Sequence, residues 1–317
     1  MKLKNILIAV ILLAIYGAIY FAINVAQIID PYQQVSLFLM GINIIAAVSL
    51  NLIVGFTGQL ALGHAGFMAI GAYVSAVMTL KLGQPFIVAV LAGALVSGII
   101  GIIIGLPTLR LKGDYLAIAT LGFGEIIRGL LVNIEYVGGA AGLNGIPQLT
   151  TFSWLYLFTV FTVLIISNFI NSTHGRACIA IRDNEIAAET MGINTTYYKT
   201  FAFSMGAFFA GIAGALYAHY YFLIQPTTFT FMRSFDALVM VVFGGLGSIT
   251  GSIIAAIAVT GINSLLIDFG ALRMVIYSIL LIIIMVFRPQ GLMGAKEFTL
   301  QTLFKKYEGG KRGHAEN

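Results

Sequence analysis

The chain has 317 residues, of which 59% are hydrophobic and only 9% charged, against about a quarter charged in an ordinary soluble domain. So few charges cannot furnish a water-facing surface, which excludes a soluble globular enzyme. The net charge of +5 is not gathered into a basic stripe interleaved with aromatics, which excludes a nucleic-acid surface; the Lys and Arg residues sit in short loops and in the tail Lys296–Arg312.

In chain order, Lys2 and Lys4 precede an apolar run from Asn5 to Ile29. That run exceeds the about 7–15 apolar residues of a signal peptide and lacks a small-x-small cleavage site, so it reads as an uncleaved first span. Further stretches without Asp, Glu, Lys or Arg run from Pro31 to Leu80, Leu82 to Leu109, Tyr136 to Gly175, Thr200 to Met232, Ala237 to Ile267 and Met274 to Phe287. A helix crosses hydrocarbon with about 20 residues, so the longer runs hold a turn or two helices. The predicted spans are 5–28, 34–55, 61–80, 86–107, 115–134, 152–171, 196–223, 230–247, 249–267 and 271–288. The span at 230–247 contains Arg233 and Asp236, and it reads equally as a half-helix entering from one side. The expected fold is therefore all-α: a polytopic membrane protein of about ten transmembrane helices.

Ten crossings put both termini on one side. Thirteen of the Lys and Arg residues then fall on that side and three on the other, at Lys81, Arg233 and Arg273, with Arg128 inside a span. The positive-inside rule makes the rich side cytoplasmic.

Small residues recur every four positions at Ala89, Gly93, Ser97, Gly101 and Gly105, and again at Ala202, Gly206, Ala210, Gly214 and Ala218. Residues four apart share a helix face, and a face of small residues lets backbones approach closely. Plain packing within one subunit is the favoured role of both stripes, with pore lining as the minority view.

Two glycine-rich stretches interrupt the apolar pattern, Gly55–Phe67 and Phe243–Gly251. Paired interruptions of membrane helices point to a transport pathway, here through Gly58, Gln59, Gly63 and His64 in the first and Gly244, Gly245, Gly247 and Ser248 in the second. Simple tight turns between spans account for them about equally well. Glu125 and Arg128 lie three apart inside a span. Intramembrane charges are costly and normally paired, so these two are expected to pair with each other, facing the bundle interior or a partner rather than lipid.

The longest polar loop between spans runs from His174 to Tyr198. Asp183 is a plausible helix N-cap and Gly192 a plausible stop, with about two turns of helix between them. Ile186, Ala187, Thr190 and Met191 share its mostly apolar face, and the like-charged Glu185 and Glu189 lie four apart on another. A short amphipathic helix of this kind suits docking into a partner's groove. A helix lying on lipid would carry a basic polar face, whereas here acids and bases are mixed.

The single cysteine, Cys178, has no disulfide partner, and His64, His174, His219 and His314 are scattered without metal spacing. No Walker A, GxSxG or HExxH sequence occurs, so no cofactor, metal or catalytic residue is expected. Any ATPase motor is a separate polypeptide.

Six stretches together carry a family resemblance: Gly55–Phe67, Leu109–Arg128, Gly138–Pro147, Gly175–Asn194, Phe243–Gly251 and Phe287–Gly294. They resemble the LivM-type permease subunits of branched-chain amino-acid ABC importers, from about Asn51 to Gly294. The resemblance implies a type II-like importer permease in a bacterial cytoplasmic (inner) membrane. It implies a second LivH-like permease, two cytoplasmic ATPase subunits, an external solute-binding protein and membrane lipid as partners. The N-terminal span and the tail carry no part of the resemblance; the chain as a whole is expected to divide into a transmembrane domain (1–294), with a cytoplasmic coupling loop at 174–198, and a cytoplasmic tail (295–317). Within the loop, Arg182, Asp183, Glu185, Ile186, Ala187, Ala188, Glu189, Met191 and Gly192 would form the ATPase-coupling segment. Glu185, Ala187, Ala188 and Gly192 are the nearest matches to the EAA-type pattern, although Glu-Ile-Ala-Ala replaces a strict Glu-Ala-Ala and the later Leu-Pro is missing. An ion-gradient-driven secondary transporter, or a permease of the same family for urea, amides or other amino acids, are the competing readings.

Overall fold

The computed structural model describes residues 2–24, 30–111, 113–266, 272–287 and 291–294. The expected tail, 295–317, lies outside them. Twelve α-helices follow one another: α1 (Lys2–Asn24), α2 (Pro31–Asn51), α3 (His64–Leu80), α4 (Phe86–Thr108), α5 (Asp114–Asn133), α6 (Phe152–Asn171), α7 (Thr173–Asp183), α8 (Glu185–Thr190), α9 (Thr195–Ala218), α10 (Phe231–Gly244), α11 (Ile249–Leu265) and α12 (Leu272–Phe287). A π-helical turn, Leu52–Phe56, extends α2. Two short strands, β1 (Leu143–Asn144) and β2 (Leu223–Ile224), pair antiparallel with Leu143 opposite Ile224.

Each of the ten predicted spans coincides with a helix. Five of them, α2 with its π-turn, α4, α5, α6 and α9, are long and apolar enough to cross a membrane. Of the others, α3 and α11 have 17 residues each, α12 has 16 and α10 only 14. At 1.5 Å per residue α10 spans about 21 Å, short of a hydrocarbon core of about 30 Å. Its first turn is tied to two neighbouring helices. Arg233 Nη2 donates to Asn43 Oδ1 midway along α2 (2.9 Å), and the Phe231 N–H donates to Glu125 Oε1 midway along α5 (3.3 Å). The span expected at 230–247 is thus occupied by a helix of only 14 residues, Phe231–Gly244.

The core is held together by close backbone approach. A Cβ on Gly71 of α3 would collide with the Gly211 carbonyl of α9, and one on Gly214 with the Met68 carbonyl. On α4, a Cβ at Gly93 would stand 2.6 Å from Gly71 O and one at Gly101 2.7 Å from the Ala207 Cβ. Hydroxyls lock the same seams: Ser97 Oγ donates to Phe67 O (3.0 Å) and Ser204 Oγ to Gly98 O (2.9 Å). The two small-residue stripes therefore serve packing within the subunit. Around this centre α1 lies against α6, where Tyr16 stacks on Phe152 and the Tyr156 hydroxyl donates to Leu12 O (2.8 Å). A second apolar cluster joins α2, α10 and α11 through Leu50, Val54, Met240, Val241, Ala256 and Val259.

The connections sort to two ends. At one, Lys81 bonds the Tyr136 carbonyl, β1 meets β2, and Ile146 N–H donates to Phe222 O (3.2 Å). At the other, the glycine breaks, the α7–α8 connection and residues 291–294 converge; Leu292 N–H donates to Phe243 O (2.8 Å) and Met293 N–H to Gly244 O (3.2 Å).

Candidate functional site

The loop after α6 folds into two helices rather than one. Ser172 caps α7 by accepting the Gly175 N–H (3.3 Å), and α7 runs through Asp183. Asp183 is therefore the last residue of α7 and not an N-cap. Asn184 is the cap of α8, accepting the Ala187 N–H at 3.0 Å. An Asx residue competes with the helix for backbone donors, so two in succession leave the choice of cap to tertiary context. Gly192 adopts φ +84°, the left-handed stop expected of it.

The two acids of α8 do not repel unopposed. Glu185 holds Lys199 Nζ at 2.6 Å, and Glu189 accepts the Thr195 hydroxyl at 2.8 Å, both partners lying at the start of α9. Ala188 faces inward and is 4% exposed, which removes it from the surface of the loop. Ile186 and Met191 stand 70% and 83% exposed, with Ala187 and Thr190 beside them. The predicted apolar face is thus turned away from the protein. On α7, Cys178 is buried and its thiol is pushed up to about 11 by desolvation, so it is inert.

The two glycine-rich stretches differ in kind. The first is a re-entrant strand of chain. After the π-turn, residues 58–63 lead back without regular structure, so that α3 begins level with Ser49, whose Oγ lies 3.0 Å from His64 Nε2. That level is about two helical turns inside the end of the π-turn. Thr120 Oγ1 accepts the Leu62 N–H (3.0 Å) and Ser234 Oγ the Ala65 N–H (2.8 Å), so backbone donors freed by the break are met by neighbouring helices. A Cβ on Gly63 would collide with the Thr120 carbonyl. Gln59 is 2% exposed, and neither atom of its side-chain amide finds a hydrogen-bond partner among the described residues.

The second stretch is a tight turn. Gly245 (φ +113°) and Gly247 (φ +80°) reverse the chain between α10 and α11, and Gly244 packs on Gly251 without room for side chains. Ser248 caps α11 by accepting the Gly251 N–H (3.1 Å). Here the simpler of the two readings holds.

The two stretches nevertheless meet. Asn51, at the end of α2, accepts the Gly247 N–H on Oδ1 (3.0 Å) and donates through Nδ2 to Ser248 O (2.9 Å) and Ser252 Oγ (2.8 Å). Its side chain folds over Gly55, where a Cβ would collide with it. Arg182 reaches the same place from α7, donating from Nη1 to Gly55 O at 3.1 Å. Sequence reasoning missed Asn51 and Asn43. The signal was present: a primary amide inside an apolar span is costly unless partnered, so it marks a contact to be found.

Glu125 and Arg128 pair at 2.7 Å, and their side chains are 31% and 35% exposed. The pair is a real contact, but it lies on an open face of α5 and not in the interior of the subunit. Tyr115, Ile118, Gly122, Ile126 and Gly129 share that face, and nothing stands within 4 Å of a Cβ built on Gly122 or Gly129. The exposed face of α4, by contrast, is wholly aliphatic: Ile87, Val88, Leu91, Leu95, Ile99, Ile102 and Ile103. Among the described residues no three His, Cys, Asp or Glu side chains converge as metal ligands.

Over residues 32–287 the chain matches the family described as "Branched-chain amino acid transport system / permease component". It is 37% identical over 287 residues to the high-affinity branched-chain amino acid transport system permease protein LivM of Salmonella typhimurium, covering 80% of this chain and 68% of that protein. The LivM protein of Escherichia coli is equally similar, at 37% over 287 residues. The E. coli permease protein LivH is 28% identical over 182 residues, 56% of this chain and 58% of that protein. No solved structure matches the chain.

Proposed function

The chain belongs to the branched-chain amino-acid transport permease family, and from that premise we propose that it is the membrane subunit of an ATP-driven importer of branched-chain amino acids. It forms half of the translocation pathway and docks, through α8, on one of two separate cytoplasmic ATPase subunits. The observation that carries this is the outward face of α8. Ile186 and Met191 are large apolar side chains left bare on a two-turn helix in an otherwise polar loop, and an apolar helix face of that kind is completed by a groove. Glu185 and Glu189 are occupied inward by α9, so α8 is held rigidly to the helix that it would move.

The pathway half is built from the non-helical segment 58–63 and the short helix α10. Discontinuous helices are the usual material of a solute site near the bilayer midplane. The second, LivH-like permease covers the open face of α5. A charged pair one-third exposed on a membrane helix is ill-suited to lipid, and the neighbouring Gly122 and Gly129 leave room for a helix to approach. The wholly aliphatic face of α4 is left to lipid. An external binding protein delivers the solute, both termini are cytoplasmic, and the membrane is the bacterial inner membrane.

The test is reconstitution with both ATPases, the second permease and the cognate binding protein in proteoliposomes. ATP-dependent uptake of leucine, isoleucine or valine is expected, with Ile186→Asp and Met191→Asp losing the ATPases and the uptake while the permease remains inserted. Uptake driven by an ion gradient without ATP would overturn the importer. Uptake of urea or short amides in place of the amino acids would overturn the substrate.

A further inference from the structure

Three features that the sequence presents separately meet at one side chain. Arg182 is the penultimate residue of α7, three positions before α8 begins at Glu185. Its guanidinium is forked by Asp183, with Nε and Nη2 at 3.0 and 2.9 Å from Oδ1. That leaves Nη1 directed at Gly55 O on the π-turn of α2, 3.1 Å away. The stem of Arg182 lies on the re-entrant strand, where a Cβ on Gly58 would stand 3.1 Å from Arg182 Cγ. Its tip lies on the α10–α11 turn, where a Cβ on Gly247 would stand 2.9 Å from Nη1. Asn51 closes the ring by binding Gly247 and Ser248 from α2.

We infer that Arg182 is the positioning residue through which movement of α8 reaches the pathway: it ties the docking helix to both glycine breaks at once. The physical argument has three parts. The two breaks are where the helices lack their own internal hydrogen bonds, so they are the parts of the bundle with least resistance to displacement. Gly58 (φ +69°) and Gly247 give the arginine a seat that side chains would fill. A guanidinium is planar and rigid, so it can hold the Asp183 carboxylate and the Gly55 carbonyl simultaneously, which a lysine ammonium on a flexible stem cannot do with the same geometry. Only 31% of the Arg182 side chain is exposed, although it sits beside the loop's most solvated residues. Arg182 touches no solute; it acts through the breaks.

The inference rests on the importer reading, so the wild-type complex is measured first, and absence of its ATPases or of ATP-driven uptake overturns that reading itself. With uptake in hand, Arg182→Met and Arg182→Lys are compared in the complete complex for copurified ATPase, ATP hydrolysis, and amino acid imported per ATP hydrolysed. The expected result is normal ATPase content and near-normal hydrolysis, with import per ATP falling roughly tenfold, in the range of ordinary inter-site coupling. A merely structural role would lower the amount of complex without changing the ratio. A docking role would lose the ATPase. Loss of the ATPase overturns the inference, as does an unchanged ratio in the complex that assembles. If Arg182→Met fails to assemble, Asp183→Asn decides: Asp183 is 64% exposed, so abundance should hold while the loosened guanidinium lowers import per ATP severalfold. A normal ratio in Asp183→Asn then overturns the inference.

Discussion

Glu125 on α5 accepts the backbone N–H of Phe231, the first residue of α10, at 3.3 Å. The carboxylate thus stands at the N-terminus of α10, where unpaired N–H groups and the positive end of the helix dipole favour an anion. Its other oxygen holds Arg128 at 2.7 Å. One side chain therefore fixes where α10 begins and neutralises an intramembrane cation.

Removing Arg128 should do more harm than removing both charges. An unpaired charge at mid-membrane costs at least about 2.5–3.5 kcal/mol, and Arg128→Met leaves Glu125 in that condition. In the double variant Glu125→Gln with Arg128→Met, the Gln carbonyl still accepts the Phe231 N–H and no charge remains. Intact complex recovered in mild detergent should fall most in Arg128→Met. Equal recovery of the single and double variants would show that the pair is not coupled. A fully abundant but inactive double variant would assign it to transport.

Glycines of the core and of the α5 face should separate cleanly. Gly71→Ala and Gly214→Ala force a Cβ into a facing carbonyl and should abolish folded permease even when expressed alone. A Cβ at Gly122 or Gly129 meets nothing within 4 Å, so Gly122→Leu and Gly129→Leu should leave the subunit folded but unable to copurify with the second permease. Normal copurification of both Leu variants would move the partner seam elsewhere.

Asn51→Ala leaves the Gly247 N–H, the Ser248 carbonyl and the Ser252 hydroxyl short of a partner that Asn51 supplies. A buried group left unpaired costs about 1–3 kcal/mol, so thermal unfolding in detergent should shift down by several degrees. Ser252→Ala removes one of the three contacts and should shift it less. Equal shifts would mean that Asn51 is not the hub of the junction.

Labelling of introduced cysteines in intact cells tests the orientation. A cysteine at Gln84 should react with a membrane-impermeant reagent from outside, and one at Asn184 should not. Cys178 gives no background, since it is buried and its thiol lies at about 11. Labelling at Asn184 from outside reverses the topology.

How much the sequence determined follows from what each signal depends on. Length and absence of charge depend on the bilayer, a uniform solvent that imposes the same demand on every span. The all-helical apolar architecture, the small-residue packing stripes, the Gly192 stop and the outward face of Ile186 and Met191 were therefore legible residue by residue. Contacts between segments far apart in the chain were not. Nothing local distinguishes a tight glycine turn at Gly245–Gly247 from a re-entrant strand at 58–63, because glycine permits both and only the neighbours decide. The choice of Asn184 over Asp183 as a cap, the inward turn of Ala188, the start of α10 beside Asn43 and Glu125, and the meeting of Arg182 with Gly55 and Gly247 were likewise settled by packing. In a chain with so few polar side chains, each one finds its partner through the tertiary arrangement, so that arrangement decided where the candidate site is joined together.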